Sequence, residues 1–254
     1  NYKFPFQKLD FASIPGFQYG GMEHVGAIQY KEASVFLDNS ATEVKKLDRA
    51  KLIAHETAHM WFGDLVTMKW FDDVWLKEVF ANFMAAKIMN PVFSKINHNL
   101  QFLTAHYQSA YAEDRSLGTH PIKQNLENLK DAGSVYGAII YNKAPIMMRQ
   151  LERSMGEEAF QKGVQKYIQK YANDNADWSN LVEILDDETP IDMKKWSAVW
   201  VNESGRPVLK DKIEYDEQKR ISNFEIYQQA ENNSSNIWPQ IFQIGLVYPE
   251  NVKV

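Results

Sequence analysis

His55-Glu56-Thr57-Ala58-His59 is the stretch of sequence that decides the fold. Two histidines four positions apart on a helix project from the same face, so both imidazoles can reach one metal ion. The glutamate between them is turned away from the metal but can act on a water molecule beside it. The alternative is a pair of surface or packing histidines, since such a pattern also arises by chance.

A carboxylate follows this stretch at a spacing that favours the metal interpretation. Eighteen residues separate His59 from Glu78, which is enough for a second helix to return a third ligand. Two imidazoles and one carboxylate leave the fourth tetrahedral position for water, as in a catalytic zinc site. Zinc would acidify this water, and Glu56 would take its proton during attack on a carbonyl. The sequence therefore predicts one Zn²⁺ per chain, held by His55, His59 and Glu78.

The composition excludes several other classes of protein. Of 254 residues, 44% are hydrophobic and 24% are charged, which is typical of a globular chain. The net charge of -5 offers no basic excess for phosphates and argues against nucleic-acid binding. The absence of cysteine excludes disulfides and thiolate sites. No apolar run approaches the roughly 20 residues of a membrane span, no targeting segment is apparent, and compartment and oligomeric state stay open.

Helical patterns surround both parts of the motif. Ser40 with Glu43 fits a capping box, so a helix is expected to begin near Ala41 and to carry the two histidines in its last third. A second helix is expected over about 74–89, before an Asn-Pro pair that ends it, and a long loop over 116–134. Further helices are expected over about 93–115, 137–154, 157–172, 177–187 and 191–202.

The two ends of the chain are predicted to be β-rich. Residues 1–37 are expected to be extended, with a strand within 25–37 that turns back. After Gly205, strands are expected over 208–216, 220–229 and 238–248. The predicted fold class is therefore α+β, with one domain over 1–204 and a β-rich segment over 205–254.

Longer stretches around the motif resemble the aminopeptidase N family of gluzincins, which includes the leukotriene hydrolase enzymes. FPFQKLDFASIPGFQYGGMEHVGAIQYKE (4–32) resembles the family pattern Pro-x-x-Lys-x-Asp…Gly-x-Met-Glu-Asn-x-Gly. HETAHMWFGDLVTMKWFDDVWLKEVFANF (55–83) resembles His-Glu-x-x-His-x-Trp-x-Gly-Asn-x-Val-Thr…Trp-Leu-Asn-Glu-Gly-Phe-Ala. THPI (119–122) and YNKA (141–144) match two further blocks in the same order. Together these stretches are distributed over the first 150 residues.

The resemblance implies both a fold and an activity. The fold is a thermolysin-like, mostly helical zinc-peptidase domain with a small N-terminal β region, followed by the start of a β-sandwich domain. The activity is that of a zinc-dependent aminopeptidase, a hydrolase that removes N-terminal residues from peptides by Glu-assisted attack of zinc-activated water. The family places further domains on both sides, so we expect this chain to lack the first strands of its catalytic domain.

The resemblance also assigns residues to roles. Tyr141, at the head of Tyr-x-Lys-Ala, matches the tyrosine that stabilises the oxyanion, whereas Tyr136 is a local competitor without the lysine two residues on. Glu23 matches the glutamate that holds the free α-amine of the substrate. A buried carboxylate pairs with an ammonium, and a blocked nitrogen leaves that charge unpaired. Specificity for peptides with a free N-terminus is expected to follow from Glu23.

Neighbours of Glu23 complete the predicted substrate site. Backbone groups of Gly20 and Gly21 are expected to contact the substrate chain, because glycine allows close approach. Tyr19 falls where the family places a wall of the first side-chain pocket. His24 stands where the family usually has Asn, and its imidazole still donates a hydrogen bond.

Three other positions depart from the family pattern near the motif. Lys77 and Val79 flank Glu78 where Asn and Gly are usual, and Asp64 replaces a common Asn. None of these changes removes a ligand or the general base, so they leave substrate preference open while hydrolysis is expected.

Two alternative functions are weighed against the aminopeptidase. A zinc hydrolase of the same family could be an endopeptidase or could open epoxides; Glu23 argues against the endopeptidase. A non-catalytic interaction module could keep the fold, but such modules lose ligands or the base. This chain retains Glu56 and Tyr141 together with all three ligands.

Overall fold

Two adjacent helices carry the metal motif and organise the fold. The computed structural model describes residues 3–135, 137–248 and 252–253. Its α-helices are α1 (Glu32–Val35), α2 (Glu43–Ala58), α3 (Val74–Met89), α4 (His98–Phe102), α5 (Gln108–Asp114), α6 (Ala144–Met155), α7 (Glu157–Tyr171), α8 (Trp178–Asp186) and α9 (Met193–Trp200). Its strands are β1 (Phe11–Ile14), β2 (Gly21–Met22), β3 (Ile28–Lys31), β4 (Val66–Met68), β5 (Asp174–Ala176), β6 (Pro207–Tyr215), β7 (Ile221–Ala230), β8 (Leu246–Val247) and β9 (Val252–Lys253). The mixed α and β composition agrees with the predicted class.

Helix α2 begins two residues later than the sequence suggested. Thr42 is its N-cap, and the Thr42 hydroxyl accepts a hydrogen bond from the Lys45 amide at 3.3 Å. The predicted capping box at Ser40 is wrong, because the Ser40 hydroxyl donates to Asp38 in the preceding turn instead. His59 is the C-cap residue of α2, so the motif does lie at the end of this helix.

Aromatic stacking joins α2 to α3, which has the predicted bounds. Phe62, just after the motif, stacks on Phe80 of α3 with ring centroids 4.6 Å apart. Trp75, fully buried at the start of α3, packs against Trp178 of α8, with ring centroids 5.1 Å apart. These contacts bring the two ligand-bearing helices side by side within one apolar core.

Among the helices of the described residues, none has the length and apolar character that crossing a membrane requires.

A three-stranded sheet lies at the N-terminal end. Strand β3 pairs in parallel with β1 and antiparallel with β2, so β3 is central. The predicted strand within 25–37 is confirmed only in part, because the chain turns into α1 after Lys31. The Phe36 amide bonds to the Glu32 carbonyl at 2.9 Å, a local helical bond that replaces strand pairing.

Most later helices agree with prediction within a few residues. The helix expected over 93–115 begins at His98 and contains a π-helical turn, Leu103–Tyr107. A second π-helical turn, Ile139–Lys143, precedes α6. The expected loop over 116–134 ends in a 3₁₀ turn, Leu129–Val135.

The segment after residue 205 begins as predicted and then departs. Strands β6 and β7 form an antiparallel hairpin, but the expected strand over 238–248 is limited to β8. Its first part bonds to side chains rather than to a strand. The Trp238 amide donates to Gln228 Oε1 at 2.6 Å, and Trp200 Nε1 donates to the Pro239 carbonyl at 2.7 Å.

Candidate functional site

The three predicted metal ligands converge where α2 meets α3. The Nε2 atoms of His55 and His59 are 3.1 Å apart. The Oε2 atom of Glu78 lies 3.6 Å from His55 Nε2 and 3.9 Å from His59 Nε2. The four-residue step along α2 and the packing of α3 beside it produce this convergence.

A backbone carbonyl orients one of the two imidazoles. His59 Nδ1 lies 2.9 Å from the carbonyl oxygen of Phe62, so Nδ1 donates and Nε2 faces the other ligands with its lone pair. His55 Nδ1 is buried and has no hydrogen-bond partner among the described residues. The two rings meet edge to face with centroids 4.6 Å apart.

Neighbouring charges set the protonation of the three predicted ligands. Burial opposes the charged form of His55, but its hydrogen bond with Glu78 and the charge of Glu78 raise the pKa of this imidazole. Burial lowers the pKa of His59, and the charge of His55 lowers it further. Burial also opposes ionisation of Glu78, yet the hydrogen bond from His55 and the charge of His59 hold its pKa at about 2.

This donor set fits a tetrahedral zinc ion. Ligand atoms about 2.0–2.1 Å from zinc at tetrahedral angles lie roughly 3.3–3.5 Å apart. The three donor atoms here are separated by 3.1, 3.6 and 3.9 Å. Two facing imidazole nitrogens present opposed lone pairs unless a proton or a metal lies between them. Two nitrogens and one carboxylate oxygen are also donors that zinc takes in catalytic sites.

Glu56 is buried against the backbone of β2. Glu56 is only 4% exposed. A Cβ atom added to Gly21 in β2 would collide with Glu56 Oε1. Only glycine therefore lets β2 approach this carboxyl so closely. Burial raises the pKa of Glu56 to about 7, against the opposing charge of His55.

Lys77 forms an ion pair with Glu23 next to the ligands. The Nζ atom of Lys77 contacts Glu23 Oε1 and lies 3.5 Å from Glu78 Oε1. The side chains of Glu23 and Lys77 are 13% and 19% exposed. Burial opposes ionisation of Glu23, but the charges of His59 and Lys77 lower its pKa. The residue that the sequence identifies as an amine anchor is thus already paired with a cation.

Asp64 is a further acidic group in the field of Lys77. Its Oδ2 atom is buried and, within the described part of the chain, has no hydrogen-bond partner. Burial raises the pKa of Asp64 to about 7; the charge of Glu23 adds to this shift and the charge of Lys77 opposes it. The stem of Lys77 runs beside Gly63, where an added Cβ would lie 3.2 Å from Lys77 Cδ.

Tyr141 lies on the π-helical turn that precedes α6. Its side chain is exposed, whereas Lys143 two residues on is buried. Lys143 Nζ donates to Asp114 Oδ1 at 2.8 Å and to the Gly205 carbonyl at 2.7 Å, which anchors the turn. Turns of this kind are frequent at functional sites. The competing candidate, Tyr136, lies outside the described residues.

One open cleft of about 830 Å³ joins these groups. The predicted site residues that line it are Tyr19, Gly20, Gly21, Glu23, His55, Glu56, His59, Glu78 and Tyr141. His24 is not among the lining residues; it is exposed, and its carbonyl accepts a hydrogen bond from the Ala27 amide at 3.0 Å. The cleft thus brings together nearly all the residues that the sequence singled out.

Sequence reasoning missed other residues that line the cleft. Asp48 and Leu52 precede His55 on α2 by seven and three residues, and Asn82 follows Glu78 on α3 by four. These intervals place each residue on the same helix face as a ligand, so helical periodicity could have identified them.

Comparison with known proteins identifies one matching family and several similar aminopeptidases. The peptidase family M1 domain matches residues 1–200. Aminopeptidase N of Streptomyces lividans is 38% identical over 232 residues, which are 91% of this chain and 27% of that protein. Probable aminopeptidase 1 of Sulfurisphaera tokodaii is 36% identical over 217 residues, 85% of this chain and 28% of that protein. Leucyl aminopeptidase of Saccharolobus solfataricus is 32% identical over 255 residues, 100% of this chain and 32% of that protein.

These relatives are much longer than this chain, which spans 27% to 32% of their length. The family match nevertheless covers most of the 254 residues and includes every predicted site residue. The chain therefore belongs to peptidase family M1.

Proposed function

We propose that the protein is a zinc-dependent aminopeptidase that removes N-terminal residues from peptides. The observation that carries this proposal is the proximity of Glu23 to the metal site. Ligand atoms of Glu23, Glu56 and His59 all lie within 4.8 Å of one another. A substrate ammonium at Glu23 is then about one residue away from a carbonyl at the metal site. An internal peptide segment offers no such charge, and the relatives named above as aminopeptidases support the same activity.

Each group of the metal site has a role in hydrolysis. His55, His59 and Glu78 would hold the zinc ion. Bound zinc supplies Lewis acidity, which lowers the pKa of water and polarises a carbonyl oxygen. Glu56, with a pKa raised to about 7, accepts a proton from the attacking water and delivers it to the leaving amine. The Tyr141 hydroxyl donates a hydrogen bond to the oxyanion of the tetrahedral intermediate.

The substrate is held by the edge of the N-terminal sheet. Glu23 pairs with the α-ammonium, and the backbone groups of Gly20 and Gly21 contact the peptide chain. Tyr19 forms a wall of the first side-chain pocket. His24, on the exposed turn after Glu23, is a further substrate-binding residue in this proposal.

We further propose a thermolysin-like catalytic domain over 1–204 and the beginning of a β-sandwich domain over 205–254. The end of the family match at residue 200 supports this boundary. The start of the largely exposed β6–β7 hairpin at Pro207 also supports it.

The decisive experiment compares free and N-acetylated forms of the same short peptides. The zinc-loaded protein is expected to cleave the acetylated form at least about 10²-fold more slowly, since an acetylated nitrogen carries no charge to pair with Glu23. A chelator should abolish cleavage, and added Zn²⁺ should restore it. Equal kcat/KM values for the two forms would contradict the exopeptidase proposal and favour an endopeptidase.

A further inference from the structure

The carboxylate that would receive the substrate ammonium is occupied by a cation of the protein itself. Lys77 Nζ contacts Glu23 Oε1, and both side chains border the cleft. A substrate can reach Glu23 only beside this ammonium or in its place. Two ammonium groups on one poorly solvated carboxylate repel each other strongly, so the second must weaken the first.

The structure also offers a second position for the Lys77 ammonium. The stem of Lys77 passes Gly63, and the next residue is Asp64. Asp64 Oδ2 is buried without a hydrogen-bond partner among the described residues, and the charge of Lys77 acts on this carboxyl. A buried carboxylate oxygen without a donor is unfavourable, and an ammonium on a flexible four-carbon stem can supply one.

Building on the proposed aminopeptidase function, we propose that Lys77 determines specificity by competing with the substrate ammonium for Glu23, and that Asp64 receives Lys77 when substrate binds. Without substrate, Lys77 then neutralises the charge of Glu23, and a free N-terminus must displace Lys77. This exchange reduces the preference for a free over a blocked N-terminus relative to an unpaired Glu23. Asp64 limits the reduction by stabilising the displaced lysine.

The test measures binding of a Leu-Gly ketomethylene dipeptide analogue, which cannot be hydrolysed, and of its N-acetylated form. Calorimetry on the zinc-loaded protein gives Kd for each ligand. Lys77→Gln is expected to lower Kd for the free-amine ligand by about tenfold or more, because the competitor is gone. Asp64→Asn is expected to raise the same Kd by about tenfold, because the displaced ammonium loses its acceptor. The acetylated ligand should show neither change.

The combination of variants separates this proposal from a structural role. In the Lys77→Gln background, Asp64→Asn should change Kd less than twofold, since no ammonium remains to be received. Lys77→Arg, which keeps the charge, should bind nearly as the parent does. Lys87→Gln is the matched control, because Lys87 lies on the same helix but does not line the cleft. The Nζ atom of Lys87 lies 2.5 Å from Glu152 Oε1. Lys87→Gln should leave both Kd values unchanged.

Several outcomes would overturn the proposal. An unchanged or raised Kd in Lys77→Gln shows that Lys77 does not compete, and equal changes for both ligands show a general effect on the cleft. Independent effects of Asp64→Asn and Lys77→Gln show that Asp64 does not receive the lysine. Glu23→Gln isolates the underlying function. If that variant leaves the ratio of the two Kd values intact, the amine anchor fails, whatever Lys77 does.

Discussion

Two lysine–carboxylate pairs in this protein differ in what surrounds them. Lys77 pairs with Glu23 at the edge of an open cleft. Lys143 pairs with Asp114 at 2.8 Å where the helical part of the chain meets Gly205, and both side chains are almost fully buried. Lys143 has a second acceptor in the Gly205 carbonyl, at 2.7 Å.

The difference lies in the alternatives open to each lysine. Burial lowers the pKa of Lys143 and raises the pKa of Asp114, so an unpaired charge at either position would be costly. This pair is closed to solvent and serves to hold the turn that carries Tyr141. The pair of Lys77 borders the open cleft, where a ligand can supply another ammonium. Surroundings, rather than pair distance, separate a structural pair from an exchangeable one.

The largest effect is expected when the proposed general base in the cleft is removed. Glu56→Gln should lower kcat about 10⁴-fold, because the neutral amide cannot accept the proton of water. Zinc content, measured by elemental analysis, should stay at about one per chain, and the melting temperature should not fall. The parent protein prepared in parallel is the control. Near-normal turnover in this variant would contradict the assigned base.

The next effect tests the closed pair and should appear in stability. Lys143→Met leaves Asp114 buried without its cation and is expected to cost about 3–5 kcal/mol in the free energy of unfolding. Urea denaturation followed by circular dichroism measures this change. Lys143→Met combined with Asp114→Leu should recover much of the loss, since both charges are then removed. A loss below about 1 kcal/mol would contradict the structural role of this pair.

A third prediction concerns the turn that this closed pair anchors. Tyr141→Phe should lower kcat about 10²–10³-fold with little change in KM, because the proposed hydrogen bond is made to the oxyanion and not to the ground state. Steady-state kinetics on a free-amine peptide separates the two parameters. Tyr136→Phe is the matched control and should keep kcat near the parent value. The reverse result would transfer the role to Tyr136.

The smallest effect is expected at an exposed pair. Lys46 Nζ lies 2.8 Å from Glu43 Oε1 on the surface of α2, the same distance as in the Lys143 pair. Lys46→Gln should change the free energy of unfolding far less than Lys143→Met does, because solvent screens the pair. Urea denaturation beside Lys143→Met gives the comparison directly. Similar losses of unfolding free energy in the two variants would show that burial does not decide how much these pairs stabilise the fold.

Local patterns predicted which side chains converge where α2 meets α3, because helical periodicity is local. The four-residue step from His55 to His59 and the bounds of α3 follow from neighbouring residues alone. Predictions failed where another hydrogen bond, local or distant, replaced the expected one. Ser40 bonds to Asp38 rather than capping α2, and the backbone near Trp238 bonds to side chains of other elements rather than to a strand.

The sequence by itself determined the candidate donor set, the candidate base and the mixed α and β class of the fold, because motif spacing and amphipathic period encode them. It also marked Lys77 and Asp64 as departures from the family pattern. Only the tertiary structure decided that Lys77 meets Glu23, 54 positions away, and that an oxygen of Asp64 is buried nearby without a hydrogen-bond partner among the described residues. Which charges meet across a cleft depends on how β2, α2 and α3 pack, and no local pattern carries that information.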